Sequence, residues 1–216
     1  VWLVSKLKEE YGEERAQAIF ESLLHRNKAS IRVTDLSRKE EIKRLLGASD
    51  SILSNTGLVK EQGHFAGHAL FAEGAFTIQD ESSQLVAPTL DIQGTEQVLD
   101  ACAAPGGKTA HMASYLTTGQ VIALDLYDHK LDLIRENAQR LGVADRVQTQ
   151  KMDARKVHEF FSKDQFDKIL VDAPCSGIGL IRRKPDIKYN KETVDFMFLQ
   201  EIQLEILGSV CQTLRK

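Results

Sequence analysis

Asp172-Ala-Pro-Cys175 places a titratable carboxyl and a thiol three residues apart, just after the apolar run Lys168–Val171. The proline, with Ser176-Gly177 behind it, keeps this segment from continuing as strand or helix, so the thiol is expected on a loop. A thiolate beside an acid can form or release a covalent intermediate, although a lone cysteine is more often a small buried hydrophobe. Arg182, Arg183, Lys184, Lys188 and Lys191 follow, against Asp186 alone. Such a stretch would hold nucleic-acid phosphates beside the thiol, the alternative being a solvated charged loop. Arg182 and Lys184 are the candidates for direct phosphate contact.

A second constellation is Val98-Leu-Asp-Ala-Cys-Ala-Ala-Pro-Gly-Gly-Lys-Thr109, an apolar run that breaks into a glycine turn and opens a helix. At Pro105-Gly106-Gly107 the missing side chains let backbone N–H groups approach a ligand, and the helix N-terminus favours negative charge. A triphosphate-binding loop would need a glycine where Cys102 stands, and a dinucleotide Gly-x-Gly-x-x-Gly fingerprint is absent. A tight turn with no ligand remains open. Asp125 ends the next strand, where a carboxylate commonly binds ribose hydroxyls, and Asp153 ends the third, where an acid can meet an adenine amino group.

These groups need a sheet to hold them at one edge. Strands are expected over 97–102, 121–126, 146–152 and 168–171. Helices are expected after Gly107, over 129–141, around 154–161 and over 191–214. That alternation predicts an α/β, doubly wound parallel sheet, incomplete because no fifth strand is present. The outer edge of its fourth strand would need cover. Ahead of it, residues 1–75 read as a small α+β domain. Two amphipathic helices flank Gly12, and a strand spans 29–36. A capping box, Ser37 to Glu40, starts a helix that ends at Gly47, and β-like runs follow at 68–72 and 75–78.

Composition narrows the class. The 216 residues carry a net charge of -3, so any phosphate contact must come from a local patch. No apolar run reaches membrane-spanning length and no signal peptide is visible, which makes a soluble, cytoplasmic, membrane-free protein the expectation; it is taken as a monomer, a state these features do not bear on. Cys102, Cys175 and Cys211 are widely spaced, so neither a disulfide framework nor a metal site is expected. Cys211, with Leu207 and Leu214, reads as a core residue on the apolar face of the last helix.

On these two motifs, with Ile181-Arg-Arg-Lys-Pro-Asp-Ile-Lys188, Trp2-Leu-Val-Ser-Lys-Leu7 and Thr77-Ile-Gln-Asp-Glu-Ser-Ser-Gln84, the chain resembles the NOP/Sun family of RNA cytosine-5 methyltransferases. The similarity is strongest to the bacterial Sun/Fmu branch that acts on small-subunit (16S) ribosomal RNA. The resemblance implies a Rossmann-like S-adenosylmethionine-dependent methyltransferase domain over 76–216, preceded by an RNA-facing domain over 1–75. It implies that S-adenosylmethionine is cradled by Cys102, Ala103, Ala104, Pro105, Gly106, Gly107 and Lys108. Asp125 would lie on the ribose, Asp153 near the adenine and Asp172 near the methionine end and the base.

The family's chemistry follows from the weak nucleophilicity of cytosine carbon 5. A thiolate adds to carbon 6, carbon 5 then takes the methyl group, and loss of its proton with departure of the thiol restores the ring. Asp172 would stabilise the adduct at ring nitrogen 3, and the target base must be unstacked to enter the site. By the same resemblance Cys175 assists product release. The attacking cysteine belongs to a Thr-Cys-Ser motif after a fifth strand, expected beyond Lys216. The chain is thus expected to bind cofactor and turn over little. A non-catalytic RNA-binding module that retains the methyltransferase fold is the alternative, and a nucleotide triphosphatase is a weaker one.

Overall fold

The computed structural model describes residues 2–25, 28–189 and 193–216, without the side chains of 188, 193 and 194. The elements in chain order are α1 (Trp2–Tyr11), α2 (Glu13–Leu23), β1 (Ala29–Val33), α3 (Lys39–Leu46), β2 (Ser49–Asp50), β3 (Gly57–Lys60), α4 (Ala69–Ala72), β4 (Phe76–Ile78), α5 (Glu81–Gln84) and α6 (Val86–Thr89). Then come β5 (Gln97–Asp100), α7 (Gly107–Ser114), β6 (Gln120–Asp125), α8 (Asp128–Arg140), β7 (Val147–Lys151), α9 (Val157–Phe160), β8 (Lys168–Leu170) and α10 (Thr193–Val210).

β5, β6, β7 and β8 form a parallel sheet in the order β7-β6-β5-β8. Val121–Leu124 of β6 are all buried, as a strand covered on both faces must be. On one face Val98 and Val121 pack with Ala110 and Met112 of α7, Leu116 of the loop that follows it, and Ala138 of α8. On the other, Leu99, Ile122 and Leu124 pack with Val157, Ile206 and Val210 of α9 and α10. This is the doubly wound α/β architecture that the strand and helix alternation implies. The outer side of the β8 segment is met by residues 213–215: Phe166 N donates to the Thr213 carbonyl at 3.0 Å, and Arg215 N to that of Phe166 at 2.8 Å.

The second sheet is antiparallel, in the order β2-β3-β1-β4, over a core that includes Ile31, Ile42, Leu58 and Phe76. β4 pairs Phe76, Thr77 and Ile78 with Val33, Arg32 and Ile31, so this sheet runs three residues past the expected boundary at 75. Contacts divide the molecule differently from that boundary as well. One compact unit takes residues 1–28 with 175–200, and the other takes 29–174 with 201–216 and holds both sheets. In the smaller unit Trp2 meets Phe196 edge-to-face at 5.4 Å, a partnership between distant segments that local periodicity does not reveal.

Three local expectations change. Asp35, not Ser37, makes the cap: its carboxylate accepts from Ser37 N at 2.9 Å and Oγ at 2.7 Å, starting a 3-10 turn ahead of α3. Gly47 ends α3 in the left-handed conformation, φ 57°, as expected. Residues 69–72 are helical rather than extended, because His68 Nδ1 caps Leu70 N and Leu70 is buried. Cys211 is exposed, as are Leu207 and Leu214: α10 is apolar on all sides, and the stripe that packs on the sheet is Ile202, Ile206 and Val210. Lys191, and with it the expected helix start, lies outside the described residues.

Candidate functional site

β5 leads directly into the glycine turn, and α7 starts at Gly107. Gly106 has φ +99°, and a Cβ there would lie 2.9 Å from Ile134 Cα, so only glycine lets the turn rest on α8. Nothing stands within 4 Å of a Cβ built on Gly107, the first residue of α7. In front of the turn is a cavity of about 210 Å³, lined by Cys102, Ala103, Ala104, Pro105, Gly107, Lys108 and Asp172, together with Ile78, Gln79, Asp80, Ser83 and Asp100. Two segments far apart in sequence, 102–108 and Asp172, therefore converge on this cavity. Gly106 supports the turn from behind.

The charges of this cavity are mostly acidic. The charged residues of the lining are Asp80, Asp100, Asp172 and Lys108, and Lys108 Nζ lies 2.6 Å from Asp172 Oδ2. Asp100 is buried, and burial pushes its carboxyl up to about 6, opposed by the hydrogen bond that Thr109 Oγ1 donates to Oδ2 at 2.7 Å. Asp100 Oδ1 makes no hydrogen bond of normal geometry, while the Cys102 backbone N–H acts on the carboxyl in the direction that lowers it. The Cys102 thiol is pushed up to about 12, first by burial and then by Asp100, Asp125, Asp172 and Asp153, so it stays protonated.

Asp125 and Asp153 stand at the ends of β6 and β7 but do not line this cavity. Asp125 Oδ1 accepts from Tyr127 N at 3.2 Å. Arg155 holds Asp153 with its backbone N–H, Nε and Nη2, keeping that carboxyl below the usual carboxylate range. In the smaller unit Cys175 and Lys184 are exposed, while Arg182 is half-buried and donates to Ser22 Oγ at 3.4 Å.

Asp100, Gln79, Asp80 and Ser83 were not singled out by their residue types. The signal for Asp100 is an acid closing a strand whose other residues are apolar. Gln79 is tied to the sheet behind it: Arg32 Nε donates to Gln79 Oε1 at 2.8 Å, and burial lowers that guanidinium to about 10. Among the described residues no His, Cys, Asp and Glu cluster could hold a metal ion, and no helix is long and apolar enough to cross a membrane.

The fold matches solved structures. A methyltransferase homolog from Pyrococcus horikoshii aligns with a TM-score of 0.80 at 30% identity, over 95% of this chain and 66% of that one. NSun6 from the same organism, solved with SFG, has the same fold, with a TM-score of 0.86 at 21% identity over 99% and 79% of the two chains. The architecture is that of the Rossmann-like methyltransferases. Residues 87–216 match the family described as 16S rRNA methyltransferase RsmB/F, and the chain belongs to that family. A probable ribosomal RNA small subunit methyltransferase B from Bacillus subtilis is 45% identical over 224 residues, covering 100% of this chain and 49% of that protein. The corresponding protein of Vibrio cholerae is 45% identical over 145 residues, 67% of this chain and 33% of that protein. The chain thus spans about half the length of the first relative and a third of the second.

Proposed function

We propose that this chain is the S-adenosylmethionine-binding part of an enzyme that methylates carbon 5 of a cytosine in 16S ribosomal RNA, with the cofactor bound in the cavity before the Pro105-Gly106-Gly107 turn and the attacking cysteine supplied by sequence beyond Lys216. The observation that carries this reading is the charge of that cavity. Asp100 and Asp172 against Lys108 favour a ligand with cationic sulfonium and ammonium groups and disfavour a triphosphate. The helix N-terminus at Gly107 suits a carboxylate, and the open space before it suits close approach of a ligand. When bound, S-adenosylmethionine supplies an electrophilic methyl group.

Within this reading, Asp125 takes the ribose, Asp153 the adenine amino group, and Asp172 the edge of the cytosine ring. Cys175, on its exposed loop, assists release of the methylated base. Arg182 and Lys184 contact RNA phosphates, and the segment up to residue 75 faces the RNA. The protein acts as a monomer in the cytoplasm, without a metal.

Calorimetric titration separates the candidates for the cavity. S-adenosylmethionine is expected to bind, and ATP with magnesium is not; the reverse order would return the chain to the triphosphatase class. With the segment that carries the attacking cysteine joined to the chain, radiolabel from S-adenosylmethionine recovered as 5-methylcytidine in digested 16S RNA is the expected product, and label on another nucleoside would overturn the assignment of the reaction; the 216 residues alone are expected to transfer little.

A further inference from the structure

The C-terminal part of α8 carries two side chains that the reading above does not use. Asn137 Nδ2 donates to the Pro105 carbonyl at 2.8 Å, and Asn137 Oδ1 accepts from Arg140 Nη2 at 2.9 Å. Arg140 Nη1 in turn donates to the carbonyls of Phe71 at 3.0 Å and Phe76 at 3.3 Å, and Nη2 reaches Thr77 Oγ1 at 3.3 Å. Its guanidinium stands 4.0 Å over the Phe71 ring. At Gly74 an added Cβ would lie 1.8 Å from the Arg140 carbonyl, so the backbone before β4 rests on the end of α8.

These contacts form an unbroken line from β4 through Arg140 and Asn137 to Pro105. Both of its ends belong to the cavity: Pro105 lines it, and β4 runs on through Ile78 into Gln79 and Asp80, which line it too. The Pro105 carbonyl also governs the turn. It belongs to the peptide plane shared with Gly106, whose N–H donates to the Ala103 carbonyl at 2.8 Å. A peptide plane before glycine can turn over at little steric cost, and turning it would break that bond. The Asn137 donor pins the plane.

We propose that Asn137 and Arg140 are positioning residues for the cofactor turn, coupling its backbone to the β4 edge of the antiparallel sheet. This rests on the reading of the cavity as the S-adenosylmethionine site. Side chains outside the cavity then set its affinity, and Thr77 and Asn137 act through one shared guanidinium.

Calorimetry with S-adenosylhomocysteine on the 216-residue chain tests the coupling. Asn137→Ala is expected to weaken binding about five-fold, the effect of one lost neutral hydrogen bond. Asn137→Asp, which can accept from Arg140 but cannot donate to Pro105, should weaken it as far. Thr77→Val should weaken it about two-fold, and the double variant no further than Asn137→Ala alone, because linked sites are not additive. Melting temperatures of the Asn137 variants should stay within about 4 °C of the parent. If the parent does not bind S-adenosylhomocysteine, the reading of the cavity fails. If the parent binds and Asn137→Asp binds equally well, or the Thr77 and Asn137 effects simply add, the positioning role alone is overturned.

Discussion

Gly106 and Gly107 are neighbours held to different constraints. Gly106 combines φ +99° with backbone of α8 in the way of any Cβ, whereas Gly107 faces open space at the start of α7. Gly106→Ala is therefore expected to cost roughly 2 kcal/mol or more in denaturant unfolding. Gly107→Ala should leave stability within about 1 kcal/mol and instead weaken S-adenosylmethionine binding, since the added methyl stands at the cavity wall. The acids behave as individually. Asp125, Asp153 and Asp172 are legible in sequence because each ends a strand before a loop. Asp100 ends a strand too, but it is embedded in the glycine motif, and only its burial beside Thr109 marks it as different. Its raised value of about 6 means that the folded state holds a proton the unfolded chain has released above about 4. This contribution weakens as pH rises through that window. His111, on the buried face of α7 and held down to about 3 by burial and by Arg32, does the opposite: its contribution is lost as pH falls from 6.5. Between about pH 4 and 6 the two slopes oppose and largely cancel. Asp100→Asn leaves His111 uncompensated, so on acidification through that window its unfolding free energy should fall more steeply than the parent's, by about 1.4 kcal/mol per pH unit. Urea titrations at several pH values would show the difference.

At the scale of elements, the parallel strands are the most legible part of the chain. Val98-Leu99 and Val121–Leu124 are short continuous apolar runs bounded by turn residues, and burial on both faces leaves no other placement for them. Short elements are less so. Residues 68–72 look extended until a histidine side chain is seen to cap them, and α10 shows apolar residues all round, so nothing local says which stripe packs. Glycines at element junctions differ in the same way. Gly12, between α1 and α2, has φ 78° and nothing within 4 Å of an added Cβ. Gly74 has φ 74° and the Arg140 carbonyl at 1.8 Å. Gly12→Ala is expected to cost about 1 kcal/mol, from the left-handed backbone alone. Gly74→Ala should cost upwards of about 3 kcal/mol, because α8 and β4 must separate. Equal losses in thermal or chemical unfolding would contradict the close approach between these two elements.

For the whole molecule, periodicity finds elements but not which of them share a core. The opening helices read as the start of a domain ending near residue 75, yet their compact unit is completed by residues 175–200, while the antiparallel sheet keeps company with the parallel one. Pairings of this kind depend on tertiary contacts between segments that carry no common local signal. The cavity shares that dependence. Its lining comes from 78–83, from 100–108 and from Asp172, so no early, locally folded state contains it. A molecule that binds there recognises only the finished chain. It should leave the refolding rate of the 216-residue protein unchanged and slow its unfolding in proportion to occupancy, so that kinetic persistence depends on how much ligand surrounds the protein. Stopped-flow chevrons with and without S-adenosylhomocysteine would show one limb shifted and the other fixed.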